Sequence, residues 1–594
     1  MGDYVVKVEE GRDASDGKPS AGPVYRCIYA KDGLLDIPTK FDSPWNFFSE
    51  SVKINPNNQM LGRRQIKDGK AGAYTWLTYQ QVYDATLKIG SAIRRRGVNP
   101  GDKCGIYGAN CPEWIMAMEA CIGQSITYVP LYDTLGANAV EFIINHAEVS
   151  IAFVQENKLL PVPDKQKETA EELGVACFSW EEFALLGDLD ENLPPKKKTD
   201  TCTIMYTSGT TGEPKGVILT SAAFMAEVLS MDQLLLETDK VDIRFLIEDL
   251  IVLKPTIFCG VPRVYDRIYT GIMDKISASG ALRKSLFQIA YNYKLRNLEK
   301  GLRQEEASPF LDKLVFDKIR QGFGGRVRLM LSGAAPLPKH IEEFLRVTCC
   351  CVLSQGYGLT ESCSGCFTSI ANVFPMMGTV GVPMTTIEAR LESVPEMGYD
   401  ALSSVPRGEI CLRGSTLFSG YHKRPDLTAE VVVDGWFHTG DVGEWQPNGA
   451  LKLIDRKKNI FKLSQGEYVA VESIESVYSR CPLITSIWVY GNSFESFLVA
   501  VVVPEKKALE EWAANNQEKG DFQSLCSNIK ARKYILDELN GTAKHIIGVH
   551  LEPVPFGIDR DLVTPTFKLK RPQLLTYYKE CIDQLYSEAK GTKA

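Results

Sequence analysis

Histidine is scarce in this 594-residue chain, and its six copies (His146, His340, His422, His438, His545 and His550) show no metal-ligand spacing. Zinc chemistry therefore has no support from the sequence. No Gly-x-Ser-x-Gly elbow occurs, which removes the usual ground for a Ser-His-Asp hydrolase. An excess of positive charge is also lacking: 67 Lys and Arg face 74 Asp and Glu, a net charge of −7. A generic nucleic-acid binder needs a basic surface, so no nucleic-acid partner is expected, and Arg94-Arg-Arg96 and Lys196-Lys-Lys198 read as solvated faces. No apolar run approaches the span of a bilayer, since Phe497–Val503 is only strand length, so any membrane contact is expected to be peripheral. Met1-Gly-Asp-Tyr lacks the apolar core of a secretory leader. Val6 stands where a myristoylation signal wants Ser or Thr, and Gly-Thr-Lys-Ala594 is not a peroxisomal tripeptide. Cysteine is not lacking, but sixteen scattered copies in a chain this long make no disulfide framework, and a reducing compartment is expected.

What is present is concentrated in polar islands. Tyr206-Thr-Ser-Gly-Thr-Thr-Gly-Glu-Pro-Lys-Gly216 packs four Ser/Thr hydroxyls, three glycines and a lysine into one turn. Glycines let consecutive N–H groups face an anion, while hydroxyls and Lys215 add donors and charge. Thr203-Ile-Met205 before it reads as a strand, and Val217-Ile-Leu219 after it is expected to lead into a helix, a phosphate-binding geometry. The spacing does not fit Gly-x-x-x-x-Gly-Lys-Ser/Thr, so this is not a Walker A loop.

Three more islands follow. Gln355-Gly-Tyr-Gly-Leu-Thr-Glu361 offers Tyr357 between Gly356 and Gly358 as a flat face for a purine, with Thr360 and Glu361 as hard oxygen ligands suited to Mg²⁺. A plain helix start capped by Thr360 is the structural alternative. Ser332-Gly-Ala-Ala-Pro336 is another small-residue turn after a strand. Asp434-Gly-Trp-Phe-His-Thr-Gly-Asp441 places a carboxylate able to hold a ribose diol, with Asp455 and Arg456 fourteen residues later. Near the C-terminus Thr564-Pro-Thr-Phe-Lys-Leu-Lys570 carries Lys568 in a Thr-rich turn.

The pattern around these islands alternates helix and strand. Residues to about 75 look polar and irregular; a helix is expected from Thr78 to Ile93, a strand at Lys103–Tyr107, a helix at Pro112–Cys121 and a strand at Tyr128–Leu131. Strand Val327–Leu331, helix Lys339–Arg346 and strand Cys351–Leu353 repeat the rhythm. Such alternation predicts a parallel sheet with crossover helices, whose ligands bind beyond the strand ends. After about residue 380 short β segments dominate. The fold class is therefore α/β, with a large N-terminal domain (1–454) of parallel α/β sheets plus a β-rich subdomain, and a small C-terminal α+β domain (455–594) beginning at Asp455. One place breaks the rhythm: Ser221–Leu236 and Ile243–Leu253 both look helical, with no strand between them.

In this order the islands resemble the adenylate-forming superfamily of acyl-CoA synthetases, luciferases and peptide adenylation domains, over about Asp42 to Arg571. The run from Asp434 to Lys458 is similar to the fatty acyl-CoA synthetase signature, comprising Asp434, Gly435, Trp436, Phe437, His438, Thr439, Gly440, Asp441, Asp455, Arg456 and Lys458. Lys254–Asp266 is characteristic of long-chain members, and the chain is most similar to the plant long-chain enzymes. The resemblance implies that a fatty carboxylate attacks the α-phosphate of ATP and that coenzyme A then displaces AMP. It implies Lys568, Glu361 and Thr207 as catalytic, with Thr207 and Glu361 holding Mg²⁺. It implies ATP binding by Tyr206, Thr207, Ser208, Gly209, Thr210, Thr211, Gly212, Lys215, Gly333, Ala334, Gly356, Tyr357, Gly358, Thr360, Asp441 and Arg456. The C-terminal domain would be mobile, turning about Asp455 to bring a second face, with Lys462 and Gly466, to the site for the coenzyme A step. A long-chain fatty acid partner and a place in the cytosol or at the cytoplasmic face of the endoplasmic reticulum are implied likewise; oligomeric state is left open. Family members carry a further strand with Leu-Pro-Leu-Ala-His, a helix and another strand before the segment at Asp242, and none of these is present here. Two alternatives stay open: an internally shortened splice form or gene model with little or no activity, and an aromatic-acid CoA ligase.

Overall fold

The computed structural model describes residues 4–67, 70–131, 139–158, 174–207, 214–235, 253–464, 468–491, 494–542, 546–564 and 568–591. The helix Tyr79–Arg95 begins as its sequence dictates. Thr78 Oγ1 accepts the Gln81 N–H at 3.2 Å and the Gln81 side chain accepts the Thr78 N–H at 2.9 Å, a capping box. Its apolar stripe, Val82, Leu87, Ile89 and Ile93, is buried in one cluster with Met116 and Ala120 of the next helix, Pro112–Gly123. That helix carries the chain between parallel strands Lys103–Tyr107 and Thr127–Leu131, as expected from the alternation.

These strands belong to a six-stranded sheet ordered Gly420–Tyr421, Lys215–Thr220, Thr201–Thr207, Thr127–Leu131, Lys103–Tyr107 and Val149–Val154. One expectation fails here. Val217-Ile-Leu219 does not lead directly into a helix: Lys215–Thr220 is a strand, antiparallel to Thr201–Thr207, and the helix starts only at Ser221. Val217 and Leu219 are buried while Ile218 is half-buried, the alternation of a strand and not of a helical stripe. The strands that flank the glycine loop are therefore antiparallel partners, and no helix begins directly after it. The helix expected over Ile243–Leu253 lies, apart from Leu253, outside the described residues.

A second sheet holds parallel strands Ile257–Gly260, Leu329–Ser332 and Val352–Tyr357, extended by Phe367–Thr368 and Val382–Pro383. Among the described residues Ile257–Gly260 is its outer strand. Tyr265, fully buried, reaches back over the strand ends: its hydroxyl lies 3.0 Å from the Phe258 carbonyl and 2.8 Å from that of Leu331. On the other side the buried Glu342 carboxylate, on helix Lys339–Thr348, accepts Gln355 Nε2 at 2.6 Å and the Gly378 N–H at 2.9 Å.

The β-rich part is a seven-stranded antiparallel sheet including Ile387–Glu392, Arg407–Gly414, Trp436–Trp445 and Leu451–Arg456. The first 75 residues are not irregular. Val5–Glu9 and Val24–Cys27 are strands of this sheet, Pro44–Ile54 is a helix, and Gln59–Lys67 pairs with Lys70–Thr78. Tyr25 pairs with Ala389, and Arg26 and Arg413 both donate to the Glu388 carboxylate at 2.6 Å. Strands this short gain their stability from partners hundreds of residues away, which local pattern does not reveal. Beyond Arg456 come a ribbon (Ile460–Lys462 with Tyr468–Ala470), helix Val471–Tyr478 and a three-stranded sheet of Ile484–Gly491, Leu498–Pro504 and Ile546–Leu551. Residues 463–589 supply the two apolar clusters on either face of that sheet.

Because Tyr265 is the polar staple across two strand ends beside Gly333, Tyr265→Phe should cost about 1–2 kcal/mol in denaturant unfolding with an unchanged slope.

Candidate functional site

The two sheets, the β-rich part and the C-terminal part enclose one cleft of about 2810 Å³, lined among others by Thr207, Lys215, Gly333, Ala334, Tyr357, Thr360, Glu361, Asp441, Arg456 and Lys568. Its centre is a linked polar chain. Tyr357, the last residue of its strand, donates its hydroxyl to Asp441 Oδ2 at 2.7 Å. Asp441 Oδ1 lies 3.3 Å from Arg456 Nε, and the two residues are directly paired on neighbouring antiparallel strands. Asp441 is buried, which pushes its carboxyl above the ordinary range; Arg456 and the Tyr357 hydroxyl only partly offset this. Both Asp441 oxygens have protein partners, and each still has the capacity to accept a further hydrogen bond.

Lys568 enters from the C-terminal part. Its backbone is fixed by a two-way bond with Thr564, N–H to Oγ1 at 3.0 Å and carbonyl to the Thr564 N–H at 2.8 Å. Arg571, three residues on, forks onto both oxygens of Glu475 at 3.1 and 2.6 Å, tying this turn to helix Val471–Tyr478. The ammonium is solvent-accessible at the mouth yet crowded by protein. That crowding and repulsion from Arg456 hold its pKa below the usual lysine value, against attraction from Asp441 and Glu472.

At the other end, Glu361 Oε1 accepts the Tyr421 hydroxyl at 2.8 Å, and Lys215 Nζ stands 5.2 Å above the Tyr421 ring. Gly420–Tyr421 pairs with the strand after the glycine loop, which sets Tyr421 against both the loop's lysine and Glu361. Tyr421 was not singled out in the sequence, because a lone tyrosine carries no spacing signal. Glu472, at the start of its helix, and Arg571 escaped notice for the same reason. Thr360–Glu361-Ser362 forms a single 3₁₀ turn, not the start of a long helix. Gly356 sits within the strand, and Gly358 follows where a Cβ would fall 1.4 Å from the Ser364 carbonyl oxygen, so only glycine fits. Gly333 and Ala334 follow strand Leu329–Ser332, with Ala334 at φ +71°.

The signature residues divide. Asp434 and Gly435, at φ +51° and +77°, form the two-residue turn between Val432–Val433 and Trp436, and Asp434 pairs with Lys18. Trp436 is buried between the guanidinium groups of Arg390 and Arg413, 4.3 and 4.5 Å from its ring. Phe437 packs on Phe418 at 5.3 Å. His438 Nδ1 lies 3.5 Å from Cys411 Sγ and 3.8 Å from Glu409 Oε2. Thr439 Oγ1 donates to the Ile410 carbonyl and accepts the Asp441 N–H at 3.1 Å, and the Gly440 N–H donates to Glu409 at 3.0 Å. These seven shape the strand and its turn; Asp441 and Arg456 face the centre of the cleft. Asp455 does neither: its Oδ1 accepts the Arg456 N–H at 2.6 Å and its Oδ2 the Glu472 N–H at 2.9 Å, joining the last strand of the large sheet to the first turn of helix Val471–Tyr478. Lys458 lies in the Lys457–Asn459 turn and Lys462 on the ribbon opposite Tyr468. Tyr206 is buried in the Thr201–Thr207 strand, its hydroxyl 2.7 Å from His146 Nδ1 and so turned away from a phosphate role by side chain. Ser208, Gly209, Thr210, Thr211, Gly212 and Gly466 lie outside the described residues.

Residues 49–246 and 233–422 match the AMP-binding enzyme family, and 473–542 match the AMP-binding enzyme C-terminal domain. A probable CoA ligase of Humulus lupulus is 65% identical over 655 aligned positions, covering 99% of this chain and all of that one. Long chain acyl-CoA synthetase 2 of Arabidopsis thaliana is 62% identical, covering 100% of this chain and 99% of the relative. Among solved structures, the adenylation domain of a carboxylate reductase from Mycobacterium chelonae superimposes with a TM-score of 0.68 at 23% identity, covering 93% of this chain and 92% of that domain. The corresponding domain from Segniliparus rugosus, in complex with AMP and a co-purified carboxylic acid, gives 0.68 at 21%, covering 92% and 93%. At these identities the structures show a shared fold. The 655 aligned positions exceed the 594 residues of this chain by 61, and the family profile matches in two pieces that meet at 233–246. The chain is thus shorter than these proteins, and the two-piece family match is what a shortening after Leu236 would give.

Burial, and next the neighbouring Glu472 carboxylate, push Asp455 up to about 7. A carboxyl whose folded pKa exceeds its unfolded value of about 3.9 binds more protons when native, so stability is lost as pH rises from about 4 through about 7. The melting temperature of the protein should fall across that window, and Asp455→Asn, which cannot ionise, should flatten the slope.

Proposed function

We propose that this chain, which belongs to the AMP-binding family of adenylate-forming enzymes, is a long-chain fatty acid–CoA ligase working through an acyl-adenylate. The observation that carries the reading is the meeting of Lys568 with Asp441, Arg456 and Tyr357 in one cleft whose far end holds Glu361 and Lys215. Joining a carboxylate to a triphosphate brings like charges together, so cations placed on both sides of the reacting α-phosphate are the expected catalytic devices. In this reading Lys568 bridges the carboxylate and the α-phosphate, and Lys215 with the glycine loop takes the departing pyrophosphate. Asp441 accepts the ribose hydroxyls with its remaining lone pairs, Arg456 meets the ribose and 5′-side oxygens, and Tyr357 with Gly333 and Ala334 borders adenine. Thr207 and Glu361 are hard oxygen donors facing the same cleft, a set that fits Mg²⁺, which would neutralise phosphate charge there. An apolar arm of the cleft, with Tyr128, Leu219, Phe224 and Met231, supports an acyl chain as the substrate.

The boundary at Asp455 belongs to the same reading. Residues 455–594 form the mobile unit, turning about Asp455 once the adenylate is made, withdrawing Lys568 and presenting the face with Lys462 and Gly466 to coenzyme A. Among the described residues no helix is long and apolar enough to cross a membrane. Peripheral contact at the cytoplasmic face of the endoplasmic reticulum, or a cytosolic enzyme, suits a fatty-acid substrate. The 61 positions by which the alignment exceeds this chain favour a second reading, an internally shortened splice form or gene model with little or no activity.

AMP release with ATP, coenzyme A and medium- to very-long-chain fatty acids, beside coumarate, separates these. Robust turnover on long acids is expected; turnover on coumarate alone would overturn the fatty-acid reading, and folded protein that binds ATP without forming thioester would select the second. Lys568→Ala should lower adenylation by about 10²–10³-fold while still converting added acyl-adenylate to thioester. Normal adenylation by this variant would remove Lys568 from its assigned role.

A further inference from the structure

Helix Ala281–Glu299 is apolar on two sides. Ala290, Lys294 and Leu298 are buried against the protein, with Phe287 and Tyr291 beside them. A second stripe, Leu282, Leu286, Ile289 and Tyr293, recurs every three or four residues and so occupies about one-sixth of the helix circumference. It faces outward: Leu282 is 89% exposed, Ile289 64% and Tyr293 53%. The next segment adds Phe310, 75% exposed, and Leu314, 59%. An apolar surface of this kind on a folded protein marks a contact with something else.

The surface is rigidly built. Lys294 Nζ, fully buried, bonds both Asp312 oxygens at 2.9 Å, and Ser308 Oγ donates to Asp312 Oδ1 at 2.6 Å. That buried pair locks the Asp312–Phe316 π-turn, and with it Phe310 and Leu314, onto the helix. The same helix and the segment after it carry exposed Arg283, Arg296, Lys300, Arg303 and Lys313, with exposed Glu299, Glu305 and Glu306 among them. Residues 281–320 hold nine Lys and Arg against five Asp and Glu, in a chain whose net charge is −7. The local sign is thus opposite to that of the whole.

We propose that this face docks the enzyme on a bilayer bearing anionic lipid, the side chains at 282, 289, 293 and 310 entering the headgroup–acyl boundary while the surrounding cations meet lipid phosphates. An apolar strip within a basic rim is complementary to that surface, and the strip lies in the interface without crossing it. A second copy fits less well, since it would set the same cations against one another. The inference rests on the fatty-acid reading only for its purpose, because long acids reside in membranes and docking would bring the cleft to them.

Flotation of the purified chain with phosphatidylcholine vesicles, with and without phosphatidylserine, tests it. Co-flotation is expected with the anionic vesicles and should weaken as salt rises. Leu282→Glu with Ile289→Glu should lower vesicle partition about tenfold or more while leaving the melting temperature and the turnover of a water-soluble medium-chain acid unchanged. Arg283→Glu with Arg296→Glu should remove the preference for phosphatidylserine. Failure of the parent chain to float, or undiminished flotation of the Leu282/Ile289 variant, would overturn the proposal. Self-association lost in that variant without any vesicle binding would do so too, assigning the face to a second copy. Flotation without turnover of any acid would leave the docking standing and remove the ligase reading.

Discussion

Much of this structure is organised around one buried carboxylate. Asp441 sits where three parts of the chain meet: it receives the Tyr357 hydroxyl from the end of the second sheet, faces Arg456 across the β-rich sheet, and feels Lys568 from the C-terminal part. A buried carboxylate is tolerated only with such partners, since an unpaired one costs several kcal/mol in effective terms. The requirement runs in both directions. The charge needs its neighbours, and in meeting it the strand ends and the C-terminal turn are held at hydrogen-bonding distances around one cleft. Asp441 therefore joins three parts of the chain at the cleft with the same two oxygens.

A second carboxylate, Asp455, connects the lobes in a different way. Its oxygens accept one N–H from the last strand of the large sheet and one from the first turn of the helix beyond. The link is local and consists of hydrogen bonds to backbone, without apolar packing of its own, while residues 463–589 keep their own core. The Arg571–Glu475 fork lies wholly within the C-terminal part and ties the turn that carries Lys568 to helix Val471–Tyr478.

The strands that flank the glycine loop are paired with each other, and Tyr421 from a distant strand stands against both Lys215 and Glu361. In the sheet that carries Gly333 and Tyr357, Ile257–Gly260 stands outermost on one side among the described residues. Tyr265 ties that strand to its neighbour through its hydroxyl, so part of the cohesion of this edge is polar and internal.

By itself the sequence determined the polar islands, their order, and the alternation that yields parallel strands with crossover helices. Lys103–Tyr107, the Thr78 cap and the helix Lys339–Thr348 all follow from local periodicity and capping, which act over a few residues. It also carried the internal shortening, as an absent strand signal. Only the tertiary structure decided that the first strands pair with Ile387–Glu392, that Val217–Leu219 is a hairpin arm, and that Tyr421 and Glu472 belong to the cleft. It likewise separated Trp436 and Phe437, which pack, from Asp441 and Arg456, which face the cleft, though all stand in one continuous motif. The reason is physical. A strand's stability and a carboxylate's partners come from residues far apart in the chain, and closing those long loops is a matter of the whole fold, not of any local pattern.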